Sequence, residues 1–466
     1  MAYGTISEIR EALRSGESAL SITESYLKRI KEFQNLNAFI EIFEKDALRQ
    51  AKDVDVKIAN GTAGQLAGCV VAIKDNICFK GHRVTASSKI LDGFESLFTA
   101  TALQRLIDQD VIVIGRLNCD EFAMGSSNET SVYGPVKNNL DTSKVPGGSS
   151  GGSAVAASAG LCTFSLGSDT GGSIRQPASW TKTYGFKPTY GRISRYGLIA
   201  YASSFDQIGP FTNSLEDAEL ITEIMSGKDE FDSTSSSREW ETNVQEKGQL
   251  AVISEYLHHP GLDNEVKEAL FSTIEKLKKA GYSIKEYSFP FMEQLVPTYY
   301  VLSTAEASSN LARFDGVHYG YRSTEAKGVE ETYTKSRTEG FGKEVKRRIM
   351  AGTFVLSHGY YDAYYAKAQQ VRRLIKNKTI EILTDCDAIL MPTTPGTAFA
   401  LNAISDPIQM YLQDIFTVHA NIAGNPALSM PWKTHSNGLP FGIQLMAADF
   451  NDQFVLNLAK KIEKQL

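Results

Sequence analysis

Continuous apolar runs alternate with amphipathic segments along the first half of this chain. Five small or apolar residues in a row predict buried strands at residues 69–73 and 111–115. Thr5 and Glu8 have the spacing of a capping box, and apolar residues at helical intervals follow them. A further helix is predicted over residues 99–109. The alternation predicts an α/β fold, with a large mixed, mostly parallel central sheet covered by helices on both faces.

The second half contains further strands around a long helical section. Residues 249–289 have a strand–helix–strand pattern, and residues 291–383 are predicted to be largely helical. Later strands are expected at residues 387–392, 427–430 and 442–445, before a terminal helix at 452–464. The polar segment 229–248 is poor in large apolar residues, and we interpret it as a surface excursion. Although the length allows up to about three units, we predict a single domain over residues 1–466.

Glycine and serine dominate residues 145–178, in two clusters at 147–152 and 171–173. A flexible linker has such a composition, but here a small-residue helix at 153–157 and an apolar strand at 162–166 separate the clusters. A phosphate-binding loop would need a glycine–lysine–serine or –threonine ending, which is missing. The remaining interpretation is a nucleophilic serine whose glycine neighbours leave backbone N–H groups open for an oxyanion.

Composition argues against several classes of protein. The 466 residues are 42% hydrophobic, and no run approaches the roughly 18 apolar residues of a membrane span. Residues 1–13 lack the apolar core of a signal peptide, so a cytoplasmic location is expected. Five scattered cysteines predict reduced thiols, and seven dispersed histidines give no metal-ligand spacing. A net charge of −6 predicts no basic surface for nucleic acid, so any RNA is expected on another subunit.

A nucleophilic serine needs a group that accepts its proton. No histidine stands in a recognisable catalytic context, whereas Lys74 directly follows the predicted strand at residues 69–73. A desolvated lysine whose pKa falls from about 10.4 toward 7–8 can act as this base. The alternative is a lysine that extends from the end of the strand into solvent. Spacing alone does not bring Lys74 next to Ser173.

The two glycine–serine clusters and their flanking residues, up to Pro177, resemble the motif of the amidase signature family. The resemblance spans about residues 66–212 and implies the fold of that family. Lys74, Ser149 and Ser173 are similar in spacing to its Ser–cis-Ser–Lys triad, because Ser149 lies 75 positions after Lys74 and Ser173 lies 24 positions after Ser149.

The resemblance implies a role for each of these residues. Ser173 is expected to attack an amide carbonyl. Ser149, expected to follow a cis peptide bond, would relay the proton to neutral Lys74 and return it to the leaving ammonia. The oxyanion hole is expected to consist of N–H groups of Thr170, Gly171, Gly172 and Ser173. Two hydroxyls and an amine can move a proton without a metal, and none is expected in this chain.

Outside this motif, the chain is similar to the A subunits of tRNA-dependent glutamine amidotransferases, a group within the family. The similarity is carried by residues 306–316, 341–349, 359–365 and 406–414. It implies that the helical section 291–383 contributes to a pocket for glutamine. Arg348 would hold the α-carboxylate, Asp414 the α-amino group, and Tyr299 would contact the substrate. Without the resemblance, Arg348 and Asp414 would be interpreted as charged residues on the solvent-exposed side of helices.

This similarity also implies partners. A B subunit would bind the tRNA and use the ammonia to convert Glu-tRNA(Gln), or Asp-tRNA(Asn) as well, and a small C subunit would complete a heterotrimer. ATP and Mg²⁺ are expected in the B subunit, and no cofactor in this chain. Two alternatives stay open, namely a stand-alone amidase for another small amide and a non-catalytic scaffold of the complex. Residues 179–185 are larger and more polar than the family pattern, but they leave the triad intact.

Overall fold

A computed structural model describes residues 3–240 and 244–465 of the chain, and eleven strands of these residues form one sheet. The strands are β1 (Phe39–Ile42), β2 (Val70–Lys74), β3 (Ile112–Leu117), β4 (Phe164–Asp169), β5 (Tyr184–Lys187), β6 (Gln207–Thr212), β7 (Gln249–Ile253), β8 (Ser283–Tyr287), β9 (Ala388–Pro392), β10 (Ala427–Thr434) and β11 (Pro440–Ala447). Their order in the sheet is β1-β3-β2-β4-β6-β5-β10-β11-β9-β7-β8.

Helices connect most of these strands. The α-helices are α1 (Ile6–Arg14), α2 (Ala19–Glu32), α3 (Glu44–Ala59), α4 (Thr101–Ile107), α5 (Gly151–Ser158), α6 (Arg175–Thr181), α7 (Leu215–Met225), α8 (Ser254–Leu257), α9 (Asn264–Lys279), α10 (Met292–Asn310), α11 (Gly328–Gly340), α12 (Lys343–Leu356), α13 (Lys367–Asp385), α14 (Pro407–Tyr411), α15 (Val418–Ala423) and α16 (Asp452–Glu463). Short 3₁₀ turns span Gln34–Leu36, Lys89–Leu91, Glu121–Ala123, Leu311–Arg313 and Leu412–Asp414, and Asp362–Ala366 is a π-helix.

The predicted α/β class and the mixed sheet are confirmed, but the mostly parallel arrangement is wrong. Six of the ten strand pairings in the described residues are antiparallel. The other four are parallel, and they join β2 to β3 and β4, and β7 to β8 and β9. A continuous apolar run indicates that both faces of a strand are covered, and it carries no information about the direction of the neighbouring strand.

Burial of whole strands shows that the sheet is covered on both sides. Every residue of β2, β3, β4, β6 and β11 is buried. Because successive side chains of a strand point to opposite faces, both faces must be packed against other elements. Within the described residues, no helix has both the length and the apolar character that crossing a membrane requires.

Local signals placed most helices correctly. The capping box at Thr5 and Glu8 begins α1, and the section 291–383 is largely helical, with a non-helical stretch between Arg313 and Gly328. The polar segment 229–248 contains no helix or strand among its described residues, and residues 241–243 lie outside them. The first part of this segment is held against the rest of the protein, because Asp229 and Asp232 are buried. Asp229 binds Ser194, and Asp232 binds Arg195.

Candidate active site

The parallel pairing of β2 with β4 brings the ends of both strands to one edge of the sheet. Lys74 is the last residue of β2, and β4 ends at Asp169, directly before the loop that contains Ser173. Ser149 and Ser150 precede α5, which packs against both strands. Three segments that are far apart in the sequence therefore meet at this edge.

Lys74 lies at the centre of a group of serine hydroxyls. Its Nζ is 2.7 Å from Ser149 Oγ, 2.8 Å from Ser150 Oγ and 3.0 Å from Ser168 Oγ. The side chain is completely buried, which excludes the alternative of a lysine extending into solvent. Burial lowers the pKa of Lys74 to about 8, so a substantial fraction of the amine is neutral near physiological pH.

The expected cis peptide bond lies between Gly148 and Ser149. Hydrogen bonds hold both sides of it. The Gly148 N–H donates to Gln176 Oε1 at 2.9 Å, and the Ser149 carbonyl accepts from the Asp120 N–H at 3.0 Å. The next residue, Ser150, donates its N–H to the Ser173 carbonyl at 3.3 Å. The structure thus places Ser149 against Lys74, and it places Ser150, the next residue, against the backbone of Ser173.

The loop with Ser173 is anchored by a buried ion pair. Asp169 accepts hydrogen bonds from the Gly172 and Ile174 N–H groups, and Arg175 binds the same carboxylate through Nε and Nη2. Burial opposes ionisation of Asp169, but the charge and hydrogen bonds of Arg175 lower its pKa to about 2. A permanently ionised carboxylate therefore fixes the backbone on both sides of Ser173.

The geometry reduces the set of predicted oxyanion donors. The Gly172 N–H already donates to Asp169 Oδ1 at 2.9 Å, so this predicted donor is not available to a substrate. The N–H groups of Thr170, Gly171 and Ser173 have no acceptor among the described residues. A Cβ at Gly171 would lie 2.5 Å from Tyr299 Cζ, so only glycine fits beneath this ring. These three N–H groups remain the candidates for the oxyanion hole.

Arg348 is enclosed by aromatic rings and is not a solvated helix charge. Its side chain is 4% exposed, and its guanidinium lies 5.2–5.7 Å from the ring centroids of Tyr201, Tyr300 and Tyr411. Nε binds Glu344 at 2.9 Å and Nη1 binds Tyr201 at 2.8 Å, whereas Nη2 has no partner among the described residues. The guanidinium is therefore fixed, with one nitrogen still able to donate.

Asp414 is also buried and only partly paired. Its Oδ2 accepts from Ser126 Oγ at 2.7 Å and from the Tyr300 hydroxyl at 3.3 Å, while Oδ1 has no partner among the described residues. Burial raises the pKa of Asp414 to about 7. Thr417 Oγ1 donates to the Gly171 carbonyl at 2.7 Å and lies 3.0 Å from the Asp414 carbonyl, which links Asp414 to the nucleophile loop.

Tyr299, the third predicted binding residue, packs against the loop that contains Ser173. It is 3% exposed, neighbours Tyr300 in α10, and places its ring over Gly171. Its hydroxyl has no hydrogen-bond partner among the described residues. A cavity of about 380 Å³ next to Arg348 is lined by Ser126, Arg348 and Tyr411, among others. Of the three predicted binding residues, Arg348 lines this cavity directly, and Asp414 is joined to its wall through the hydrogen bond from Ser126.

Several residues of the site were missed by sequence analysis. Ser150, Ser168, Asp169 and Arg175 stand within the glycine–serine region, where their polar character among small residues was a usable signal. Ser126 had no such signal, because its partner Asp414 lies 288 residues away.

The larger residues of the segment 179–185 pack against residues 394–399 and β11. Trp180 is completely buried, donates from Nε1 to the Gly396 carbonyl at 2.9 Å, and contacts Phe399 edge-on. Ser179 lies against Thr394 and Gly442. Ser179 and Trp180 are thus buried structural residues with partners of their own.

Comparisons with known proteins agree over nearly the whole length. The family model described as Amidase matches residues 21–456. The chain is 49% identical over 472 residues to the A subunit of glutamyl-tRNA(Gln) amidotransferase from Koribacter versatilis, covering 99% of this chain and 98% of that protein. It is 47% identical over 473 residues to the corresponding protein of Chlorobium luteolum, covering 100% and 98%. The crystal structure of the A subunit from Thermotoga maritima is 40% identical, with a TM-score of 0.80, covering 99% and 94%.

Proposed function

Since this chain belongs to the amidase family, whose model matches residues 21–456, we propose that it is the glutamine-hydrolysing subunit of a tRNA-dependent amidotransferase. Relatives that are 47–49% identical over almost the full length of both chains are named as the A subunit of glutamyl-tRNA(Gln) amidotransferase. The single observation that carries the proposed chemistry is the buried contact between Lys74 Nζ and Ser149 Oγ, next to the loop of Ser173.

Glutamine fits the two partly paired charges of the site. The free Nη2 of Arg348 can donate to an α-carboxylate, and the free Oδ1 of Asp414 can accept from an α-ammonium group. A free amino acid carries both groups on one carbon atom. Its side-chain carboxamide then extends toward Ser173 and Gly171, and Thr417 joins the Gly171 backbone to that of Asp414.

Amide cleavage proceeds by two proton transfers in series. Ser173 Oγ attacks the carboxamide carbon while its proton passes to Ser149 Oγ, and Ser149 passes its own proton to neutral Lys74. The open N–H groups of Thr170, Gly171 and Ser173 stabilise the oxyanion. The proton returns through Ser149 to the amide nitrogen, the C–N bond breaks, and ammonia leaves. Water then hydrolyses the glutamyl ester of Ser173 by the same relay and releases glutamate.

The ammonia serves a partner in this proposal. A B subunit binds most of the tRNA, holds ATP and Mg²⁺, and converts Glu-tRNA(Gln), or Asp-tRNA(Asn) as well, while a C subunit completes the heterotrimer. This chain itself holds no cofactor. We propose that the complex works in the cytoplasm. All five cysteines are free thiols, as is usual in that reducing compartment.

The test is Ser173→Ala in the complex of all three subunits. We expect the variant to lose ammonia release from glutamine but to retain amidation of Glu-tRNA(Gln) when ammonium chloride is supplied. Ser153→Ala is the matched control, because its buried hydroxyl only donates to the Leu166 carbonyl at 3.0 Å. Unchanged ammonia release in Ser173→Ala would show that the nucleophile is wrong.

A further inference from the structure

The contacts of Lys74 raise the question of which hydroxyl faces its lone pair. A neutral amine has two N–H bonds and one lone pair, but three hydroxyls lie within 3.0 Å of Nζ. Only a serine that faces the lone pair can give its proton to the amine. The relay proposed above therefore requires that the other two hydroxyls accept the N–H bonds.

The hydrogen bonds of Ser150 determine its direction. Its single hydroxyl proton is donated to the Ser168 carbonyl at 3.1 Å, and its oxygen accepts the Ser168 N–H at 3.3 Å. Toward Lys74, at 2.8 Å, Ser150 can therefore only accept. One N–H bond of Lys74 is committed to it.

Ser168 occupies the third position around the amine. Its hydroxyl is 3.0 Å from Lys74 Nζ and 2.9 Å from the side-chain amide of Asn76. Whichever end of that amide faces Ser168, the hydroxyl oxygen keeps a lone pair for an N–H bond. Asn76 is itself buried, so it holds Ser168 in this place.

We propose that Ser150 and Ser168 are positioning residues that accept both N–H bonds of neutral Lys74 and thereby point its lone pair at Ser149. Both act through Lys74, whose Nζ they contact, and neither takes a proton in the relay. This inference rests on the proposed function for the identity of the relay. It adds the reason why the proton travels through Ser149 and not through either neighbouring serine.

Removing an acceptor has a defined effect on the pKa of Lys74. Hydrogen bonds to the ammonium form raise the pKa of a lysine, so the loss of an acceptor lowers it further. If a serine instead donates to the lone pair, its loss raises the pKa. The sign of the shift thus separates the two arrangements. The other ionisable groups facing Lys74 are Cys119, Asp120, Asp169 and Asp206, and they are the same in every variant.

The experiment follows Ser173 directly, without glutamine. Phenylmethanesulfonyl fluoride sulfonylates a serine: the oxygen–sulfur bond forms, fluoride leaves, and the serine proton goes to the base. We would measure this rate by intact mass from pH 6 to 10 on the three-subunit complex, for wild type, Ser150→Ala, Ser168→Val and Ser168→Thr. Ser153→Ala serves as the control, and thermal unfolding checks the folding of each variant.

We expect the acid limb of the rate profile to move down by about one pH unit in Ser150→Ala and Ser168→Val. The plateau should fall about tenfold or more, because the lone pair is no longer directed. Ser168→Thr keeps the hydroxyl and should match wild type, as should Ser153→Ala. A limb that moves to higher pH, or does not move while activity falls, would overturn the proposal.

This outcome is separable from failure of the proposed function. A wild type that reacts with the sulfonyl fluoride but releases no ammonia from glutamine would refute the glutaminase assignment and leave the positioning test intact. A wild type that never reacts at any pH would refute both, because Ser173 would then lack an activating base.

Discussion

Glutamine binding should weaken about tenfold when the pH falls from 8 to 6. The perturbation is protonation of Asp414, whose pKa is raised to about 7 by burial. The substrate's ammonium group needs the ionised carboxylate, because a protonated carboxyl offers no net charge to pair with it. The α-ammonium itself stays protonated over this range, so the change comes from the protein.

The magnitude follows from the ionised fraction of Asp414. With a pKa of about 7, roughly 90% of the carboxyl is ionised at pH 8 and roughly 10% at pH 6, which corresponds to the tenfold loss in affinity. A charge-assisted hydrogen bond contributes about 1.5–3 kcal/mol, or roughly 10- to 150-fold. The expected tenfold loss of affinity is thus no larger than the contribution of one hydrogen bond between the ammonium group and Asp414. Asp414→Asn should bind glutamine weakly and without this pH dependence, so its difference from wild type should be large at pH 8 and small at pH 6.

The assay should separate binding from chemistry, since titration of Lys74 changes the rate over a neighbouring pH range. We would therefore measure the Kd of glutamine by calorimetry on the Ser173→Ala complex between pH 6 and 8.5. The matched ligand is 4-carbamoylbutanoate, which is glutamine without its α-amino group. Its binding should not weaken at low pH. Equal pH dependence for both ligands, or a flat profile for glutamine, would refute the role of Asp414.

Three further predictions concern charges that the fold buries. Arg348→Lys loses the planar fork and should raise the KM for glutamine about tenfold or more, with little effect on a simple amide such as propionamide; equal loss on both would favour a different substrate. Arg175→Met leaves Asp169 buried without its ion-pair partner and should destabilise the chain by about 3–5 kcal/mol in thermal unfolding, with partial recovery when Asp169→Asn is added. Burial lowers the pKa of Lys187 to about 7, so the unfolded chain binds this proton more tightly, and stability should rise by about 2 kcal/mol from pH 7 to 9. Lys187→Met should reduce that rise in denaturant titrations, and an unchanged rise would contradict the assignment.

Local elements could be predicted from neighbouring residues wherever one signal dominated. The apolar runs at residues 69–73 and 111–115 gave buried strands within one or two residues, because a strand that is covered on both faces has no polar alternation. The cap at Thr5 fixed the start of α1 through contacts between neighbouring residues.

Strands with mixed signals were missed. Neither β5 nor β6 was predicted, since Gly185 and Pro210 interrupt their apolar pattern, and both pair antiparallel inside the sheet. Their insertion between β4 and β10 explains why the sheet is less parallel than predicted. The direction of a pairing depends on how the chain returns to the sheet, which a single strand's composition does not contain.

The active site likewise has residues that the sequence pointed to and residues whose roles depend on contacts between distant segments. The glycine–serine region and its spacing to Lys74 pointed to the three triad residues by resemblance. Only the tertiary structure decided that Ser150 and Ser168 complete the shell of Lys74, that Gly172 already binds Asp169, and that Asp414 meets Ser126. Hydrogen bonds and burial of this kind arise between segments that are up to 288 residues apart. The pKa values of the site and its unpaired N–H groups depend on these contacts. Neither could be predicted from the sequence, because the contacts form only when the chain folds.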